Sequence, residues 1–331
     1  MNMDNTFDFL AIGDIVTDAF IRITQAEIQD SIDHTRKELC ITFGDKVPYE
    51  SVTILKGVGN SANAAVSAAR LGLRSVLMAD VGGDIQGKEC IGELDKNGVS
   101  TDYMSIHGDL TTNYHYVLWY GVERTILVKH ELYPYKFPNI KDAPRWIYLS
   151  SLGENSADYH KQISAYLAAH PETKLAFQPG TFQMKMGVEA LKDIYARSDV
   201  FFCNVEEAQR ILKVTDRDVK NLMKGLMALG PKIVVVTDGI EGAYAYDGTD
   251  AWFMPVYPHE PYERTGAGDA FSSTVTSALA LGKTLEEALV WGPINSMSVV
   301  QKVGAQEGLL TKAQLEDFLS KAPAEYKVSK I

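Results

Sequence analysis

The chain has 331 residues, of which 46% are apolar and 23% charged, and a formal net charge of -11. That length suits one large α/β domain with an elaboration, and the composition excludes a fibrous or disordered chain. The acidic balance excludes a partner gripped through a nucleic-acid backbone, which needs a concentrated excess of Lys and Arg; a bound phosphate is expected on backbone amides, a helix end or a metal.

Residues 1–9 lack the positive and apolar regions of a secretory signal, and no apolar run is long enough to cross a bilayer, so a cytoplasmic location is expected. Cys40, Cys90 and Cys203 are scattered and have no zinc spacing, which fits a reducing compartment. The seven His likewise never fall at metal-ligand spacing.

Residues 7–12 are an apolar run ending in Gly13 and Asp14, the pattern of a buried strand whose polar carboxyl end is either a binding point or a turn. Residues 19–55 change character. Short β-prone pieces at 19–23, 40–43 and 52–55 surround a polar stretch, 25–38, that reads as a helix within an insertion. Residues 61–71 are Ala-rich with a helical period, stopped by Gly72. A strand over 75–81 and a helix over 87–96 follow. Residues 113–120 and 124–130 alternate around Gly121 as a hairpin would, and they pair with the insertion as one small sheet.

From residue 146 the alternation is regular: strand 146–149, helix 157–169, strand 174–177, helix 187–195, strand 200–203, helices 206–212 and 218–229, strand 233–236, a hairpin over 243–257 and three final helices. This predicts an α/β fold, a doubly wound and mainly parallel sheet with helices on both faces, with ligands off the carboxyl ends of the strands. The large domain takes residues 1–18, 56–110 and 131–331, and a small β lid takes 19–55 and 111–130.

The run Arg264-Thr265-Gly266-Ala267-Gly268-Asp269-Ala270-Phe271 lies between a strand and a helix. A Gly-Ala-Gly turn opening a helix leaves N–H groups unpaired at the positive end of the dipole, which makes an anion site. Asp269 would repel that anion unless it serves a third group, and a hydroxyl nucleophile is such a group. Taken alone, Asp269 could equally be a first-turn acid favoured by the dipole.

This segment resembles the Gly-Ala-Gly-Asp signature of the ribokinase (pfkB-type) family of carbohydrate and nucleoside kinases, and the likeness runs along nearly the whole chain. Gly13-Asp14-Ile15-Val16-Thr17-Asp18, Gly59-Asn60-Ser61-Ala62-Asn63, Asn204-Val205-Glu206-Glu207, Thr237-Asp238-Gly239-Ile240-Glu241-Gly242 and Gly304-Ala305 fall in the family's order. The resemblance implies a ribokinase-like fold and an ATP-dependent kinase acting on the hydroxymethyl group of a small sugar (ribose, a ketohexose or a sugar acid), with an adenosine-type nucleoside kinase as the alternative. It implies that Asp269 is the general base beside Gly266, Ala267 and Gly268, and that Asp18, Gly59, Asn60 and Asn63 bind the acceptor. Asn204, Thr237, Gly239, Gly242 and Gly304 would contact the nucleotide, with Asn204 and Glu207 placing Mg²⁺, through water if not directly. The lid would close over the sugar and exclude water, and its open edges suggest a homodimer.

Three departures accompany it. Val58 stands where a second Gly is common, and the insertion over 23–41 is longer than in plain ribokinase. Glu263 replaces an Asp linked in some members to a monovalent cation, which leaves K⁺ dependence open. Two other classes compete. The run Gly57-Val58-Gly59 followed by Asp80 meets a dinucleotide fingerprint and would predict an NAD-dependent dehydrogenase, although no later segment supplies a hydride-transfer site. A sugar-binding regulator without turnover would have no use for Asp269.

Overall fold

The computed structural model describes residues 6–34 and 36–331; most of residues 1–9, read above for charge, and Thr35 lie outside that description. The chain opens with β1 (Phe9–Ile12), fully buried, and passes into β2 (Val16–Ile23), the hairpin β3 (Glu27–Asp30) and β4 (Lys37–Cys40), and β5 (Tyr49–Val58). It returns through α1 (Asn60–Arg70), β6 (Ser75–Gly82), α2 (Ile85–Lys96) and β7 (Ser100–His107), then leaves again as β8 (Tyr114–Tyr120) and β9 (Glu123–Leu127).

The second half runs β10 (Trp146–Leu149), α3 (Ala157–Ala169), β11 (Lys174–Phe177), α4 (Thr181–Met186), α5 (Lys192–Arg197), β12 (Val200–Asn204), α6 (Val205–Leu212), α7 (Val219–Met227) and β13 (Val234–Thr237). The antiparallel pair β14 (Ala243–Tyr246) and β15 (Ala251–Met254) precedes α8 (Ala267–Ala280), α9 (Leu285–Val299), α10 (Lys312–Ser320) and the short β16 (Ser329–Lys330).

Ten strands form one sheet in the order β16-β15-β14-β13-β12-β11-β10-β1-β6-β7, parallel from β13 through β7. Both faces are covered, by two separate apolar clusters: α1, α2, α8 and α9 pack on one, and α3, α5, α6 and α7 on the other. Strands buried on both faces need no alternation, which is why β1 and β10 read as unbroken apolar runs. The chain winds outward through β6 and β7 and then resumes on the other side of β1, so the switch point lies beside β1, where a doubly wound sheet opens a crevice at its carboxyl edge.

The small sheet has the order β5-β2-β8-β9, with β2 and β8 parallel and the outer pairs antiparallel. It is the lid, held against the core where Trp119 packs edge-on to Tyr262 (5.3 Å) and Arg264 Nη1 donates to Glu123 Oε1 at 2.9 Å. None of Tyr114, Tyr116, Trp119 and Tyr120 lines the cavity beneath it. Among the described residues no helix is long and apolar enough to cross a membrane.

Several expectations need correction. The stretch 25–38 is the β3–β4 hairpin, because it has no apolar stripe to bury a helix and Ile28 is exposed. The strand placed at 40–43 ends at Cys40, with Phe43 fully exposed. The helix placed at 187–195 is split: α4 stops at Gly187, φ +88°, and a 3₁₀ turn over Glu189–Leu191 leads into α5. Neither β7 nor α4 was foreseen. The dinucleotide fingerprint also fails, since the strand before Gly59 is β5 of the small sheet, paired antiparallel to β2, and Asp80 is engaged by His107 at 2.7 Å.

Candidate active site

Successive parallel strands deliver polar residues to one edge: Asp14 after β1, Ser151 after β10, Gln178 after β11, Asn204 at the end of β12 and Thr237 at the end of β13. Across that edge runs the N-terminus of α8. Gly266 caps it at φ +81°, where a Cβ would lie 2.4 Å from Ala305 Cβ, so both the left-handed conformation and the close approach require glycine. The amides of Ala267, Gly268 and Asp269 precede the first intrahelical bond, from Ala270 N–H to the Gly266 carbonyl at 2.8 Å, and no side chain caps them.

Two cavities meet at this helix end. One, of about 590 Å³, lies under the lid and is lined by Asp18, Gly59, Asn60, Asn63, His115 and Asp269 among others. The other, of about 750 Å³, lies beyond Thr237, Gly239 and Gly242 and is walled by Pro258, Pro261, Met297 and Val300. Thr237, Arg264, Ala267, Gly268 and Phe271 border both. At Gly268 a Cβ would meet only Gln178 Nε2, 3.8 Å away, so packing of the protein itself does not demand glycine there.

Asp269 lines the lid cavity, one residue past Gly268, which borders both. Its Oδ1 accepts from Asn60 Nδ2 (2.9 Å) and Gln178 Nε2 (3.2 Å), and its Oδ2 accepts from Asn63 Nδ2 (2.9 Å). Burial pushes the carboxyl above the usual range, while the three amides and the Arg124 charge oppose that push. Asn60 and Asn63, expected on the acceptor, therefore hold Asp269 here.

On the lid side, Asp18 of β2 stands in register with His115 of β8. Asp18 Oδ1 is 3.3 Å from His115 Nδ1, close enough to attract a charged ring but not aligned as a hydrogen bond. Both Asp18 Oδ1 and His115 Nε2 are buried without a hydrogen-bond partner among the described residues. Arg124 of β9 also lines this cavity, its Nε buried and unpaired, 4.0 Å from Glu263 Oε1. Asp14 is occupied elsewhere, accepting from Tyr135 Oη (2.7 Å) and contacting His130 Nδ1 (3.0 Å), which anchors the chain leaving the lid.

Asn204 and Glu207 form a reciprocal cap on α6: Asn204 N–H donates to Glu207 Oε2 at 2.9 Å, and Glu207 N–H to Asn204 Oδ1 at 2.8 Å. Both face the lid cavity. Burial raises the Glu207 carboxyl, with the Asn204 N–H working against that. Among the described residues no donor reaches the Glu207 oxygen outside the cap, so the pair offers that hard oxygen, beside Asn204 Oδ1, to a cation. Among the described residues no group of three or more His, Cys, Asp and Glu could hold a metal.

Gly304 lines neither cavity. Its N–H donates to buried Glu263 Oε2 (3.3 Å), whose Oε1 accepts from Thr265 N–H (2.8 Å) and Thr265 Oγ1 (2.6 Å). Sequence reasoning missed Gln178, His115 and Arg124. Gln178 follows β11 at a carboxyl strand end, the one place where the topology rule could have pointed to it.

Comparison with known proteins bears on the family and the fold. A family model described as pfkB family carbohydrate kinase matches residues 30–312. The chain is 29% identical over 297 residues to a ribokinase of Bacillus subtilis, covering 85% of this chain and 95% of that enzyme. It is 27% identical over 299 residues to a nucleoside kinase of Methanothermobacter thermautotrophicus, covering 84% and 91%. The solved structure of Arabidopsis thaliana ribokinase complexed with ribose and ATP superposes with a TM-score of 0.76 at 18% identity, covering 95% of this chain and 99% of that one, which shows a shared fold. A doubly wound sheet with a strand-built lid, an acid at a Gly-Ala-Gly helix start and a family match across most of the length lead to one assignment: this chain belongs to the pfkB family of carbohydrate kinases and is a phosphotransferase.

Proposed function

We propose that the enzyme transfers the terminal phosphoryl group of ATP to a hydroxymethyl group of a small sugar held beneath the lid, with Asp269 as general base. The observation that carries this reading is the position of Asp269: it lines the lid cavity in the first turn of α8, directly after Ala267 and Gly268, which border both cavities and whose amides are uncapped.

The acceptor occupies the lid cavity, with Asp18 and His115 receiving its hydroxyls through the atoms that have no protein partner. Its reacting oxygen attacks the γ phosphorus as its proton passes to Asp269, and the bond to the β-phosphate oxygen breaks to release ADP. The amides of Ala267, Gly268 and Asp269 take the charge of the moving group. Gly268, free of any packing need for glycine, lets a phosphate approach the backbone. The base and phosphate tail lie toward Thr237, Gly239 and Gly242. Asn204 and Glu207 fit Mg²⁺, which when bound with the nucleotide neutralises its β and γ oxygens. The lid excludes water that would otherwise accept the phosphoryl group, and it carries the homodimer contact along the open edge of β5.

The decisive experiment follows ADP release over a panel of sugars, sugar acids and nucleosides. Turnover with at least one compound, and a loss of about 10²- to 10⁴-fold in kcat for Asp269→Asn with ATP binding intact, is the expected result. Near-normal activity of that variant removes Asp269 from the role. A nucleoside acceptor is the second reading: Ile126, Val128 and Phe182 give the cavity an apolar side, with His130 edge-on to Phe182 at 5.3 Å, a surface suited to a flat base. The same panel separates the two.

A further inference from the structure

We propose that Gln178 and Gln306 are positioning residues which, acting on Asp269 directly and through Asn63, leave Oδ2 as the single carboxylate oxygen with room for the acceptor's proton. The proposal rests on the reading of Asp269 as the base.

A carboxamide can turn either its NH₂ or its oxygen toward a neighbour, so its orientation is decided by what satisfies the other end. Gln178 Oε1 accepts from the Tyr148 hydroxyl, which commits Nε2 to Asp269 Oδ1; Ser272 Oγ lies 2.8 Å from the same oxygen but divides its one proton with the Gly268 carbonyl at 2.7 Å. Tyr148 lies fully buried under α8, and burial together with the Asp269 charge keeps its phenol protonated, so it remains a donor. Gln306 works from the opposite side. Its Nε2 donates to the Gly57 carbonyl (2.8 Å) and to Asn63 Oδ1 (3.0 Å), and this commits Asn63 Nδ2 to Asp269 Oδ2.

The count of donors then separates the two oxygens. Oδ1, held by Asn60 and Gln178, has both lone pairs engaged, whereas Oδ2 has one donor and one open site. The transferred proton goes to Oδ2, and the three amide donors hold the carboxylate's orientation and favour its ionised form against the larger push of burial.

Other charges face the same carboxylate and would be unchanged by altering Gln178. Arg124 approaches from β9, and Glu207 from α6. Asp18, His115, Lys185 and Arg264 line the shared cavity. Burial favours the protonated carboxyl and the amides favour the ionised one. Loss of one amide therefore extends protonation to higher pH and removes the base first on the acidic side.

The test measures kcat and both KM values from pH 5.5 to 9 for Gln178→Met, Gln306→Met and Tyr148→Phe, using ATP and the panel compound that gives the fastest ADP release. Tyr148→Phe keeps the ring volume and deletes only the hydroxyl, so it guards against a variant that fails to fold. In Gln178→Met, kcat at pH 6 should fall about tenfold further than kcat at pH 8, with both KM values nearly unchanged. The other two should move in the same direction by less. A loss of equal size at every pH, or a rise in KM with kcat preserved, overturns the proposal. If Asp269→Asn itself retains activity, the base assignment has failed instead, which is a separate outcome.

Discussion

Asp18 and His115 stand side by side on parallel strands, each with one buried polar atom that no protein group satisfies. A site built this way binds a hydroxyl well and tolerates its loss badly, because the orphaned atom then stays unpaired. Asp18→Ala is expected to raise the acceptor's KM about tenfold to a hundredfold while leaving the KM for ATP nearly unchanged. A change confined to ATP would place the acceptor elsewhere. Glu263 invites a second prediction. Its oxygens already accept from Thr265 and Gly304, and the Arg124 guanidinium lies beside it, so replacing K⁺ with tetramethylammonium should leave the rate unchanged. A strong K⁺ activation would show that these donors give way to an ion. Asp18 and Asp269 were legible in the sequence because each sits in a short contiguous pattern. His115, Arg124 and Gln178 were not, because each reaches the site alone, from a different strand, and nothing in its neighbours marks it.

At the level of the element, the start of α8 depends on one residue. Gly266→Ala would put a methyl group within 2.4 Å of Ala305 and force a left-handed backbone on alanine. The expected result is destabilisation of at least about 1 kcal/mol in urea unfolding, with activity lost more completely than stability. A quieter device caps α2. Asp84 accepts from Gly87 N–H (2.8 Å), Thr112 N–H (2.8 Å) and Thr112 Oγ1 (2.6 Å), tying that helix to the chain entering the lid. Burial works against ionisation of Asp84, but these donors prevail and hold its carboxyl below the usual range. Its contribution is therefore present above the ordinary carboxylate value and fades as pH falls through the folded one. Asp84→Ala should cost about 1 to 2 kcal/mol at neutral pH and less in acid, as read by urea melts at both. Helices with an Ala-rich period and a glycine stop, such as α1 with Gly72 behind it, could be recognised from their own residues. α4 and the split before α5 could not, since Gly187 stops the first helix and no periodic apolar stripe spans the gap.

Across the whole molecule, the alternation of strand and helix after residue 146 made the doubly wound sheet legible, whereas β7 escaped notice because an edge strand with partly exposed faces has no unbroken apolar run. The lid's outer strand β5 exposes Tyr49, Val52 and Ile54, so sedimentation equilibrium should report a dimer, and Ile54→Glu should yield monomers. A purely monomeric wild type would remove the lid from that role. The shared wall of the two cavities has a further consequence for ligand design. Since both compartments border Gly268, where even a Cβ would meet only Gln178 Nε2 at 3.8 Å, a single inhibitor joining a sugar mimic to an adenosine tail is expected to cross there. A valine at that position should admit each half separately and reject the tethered molecule.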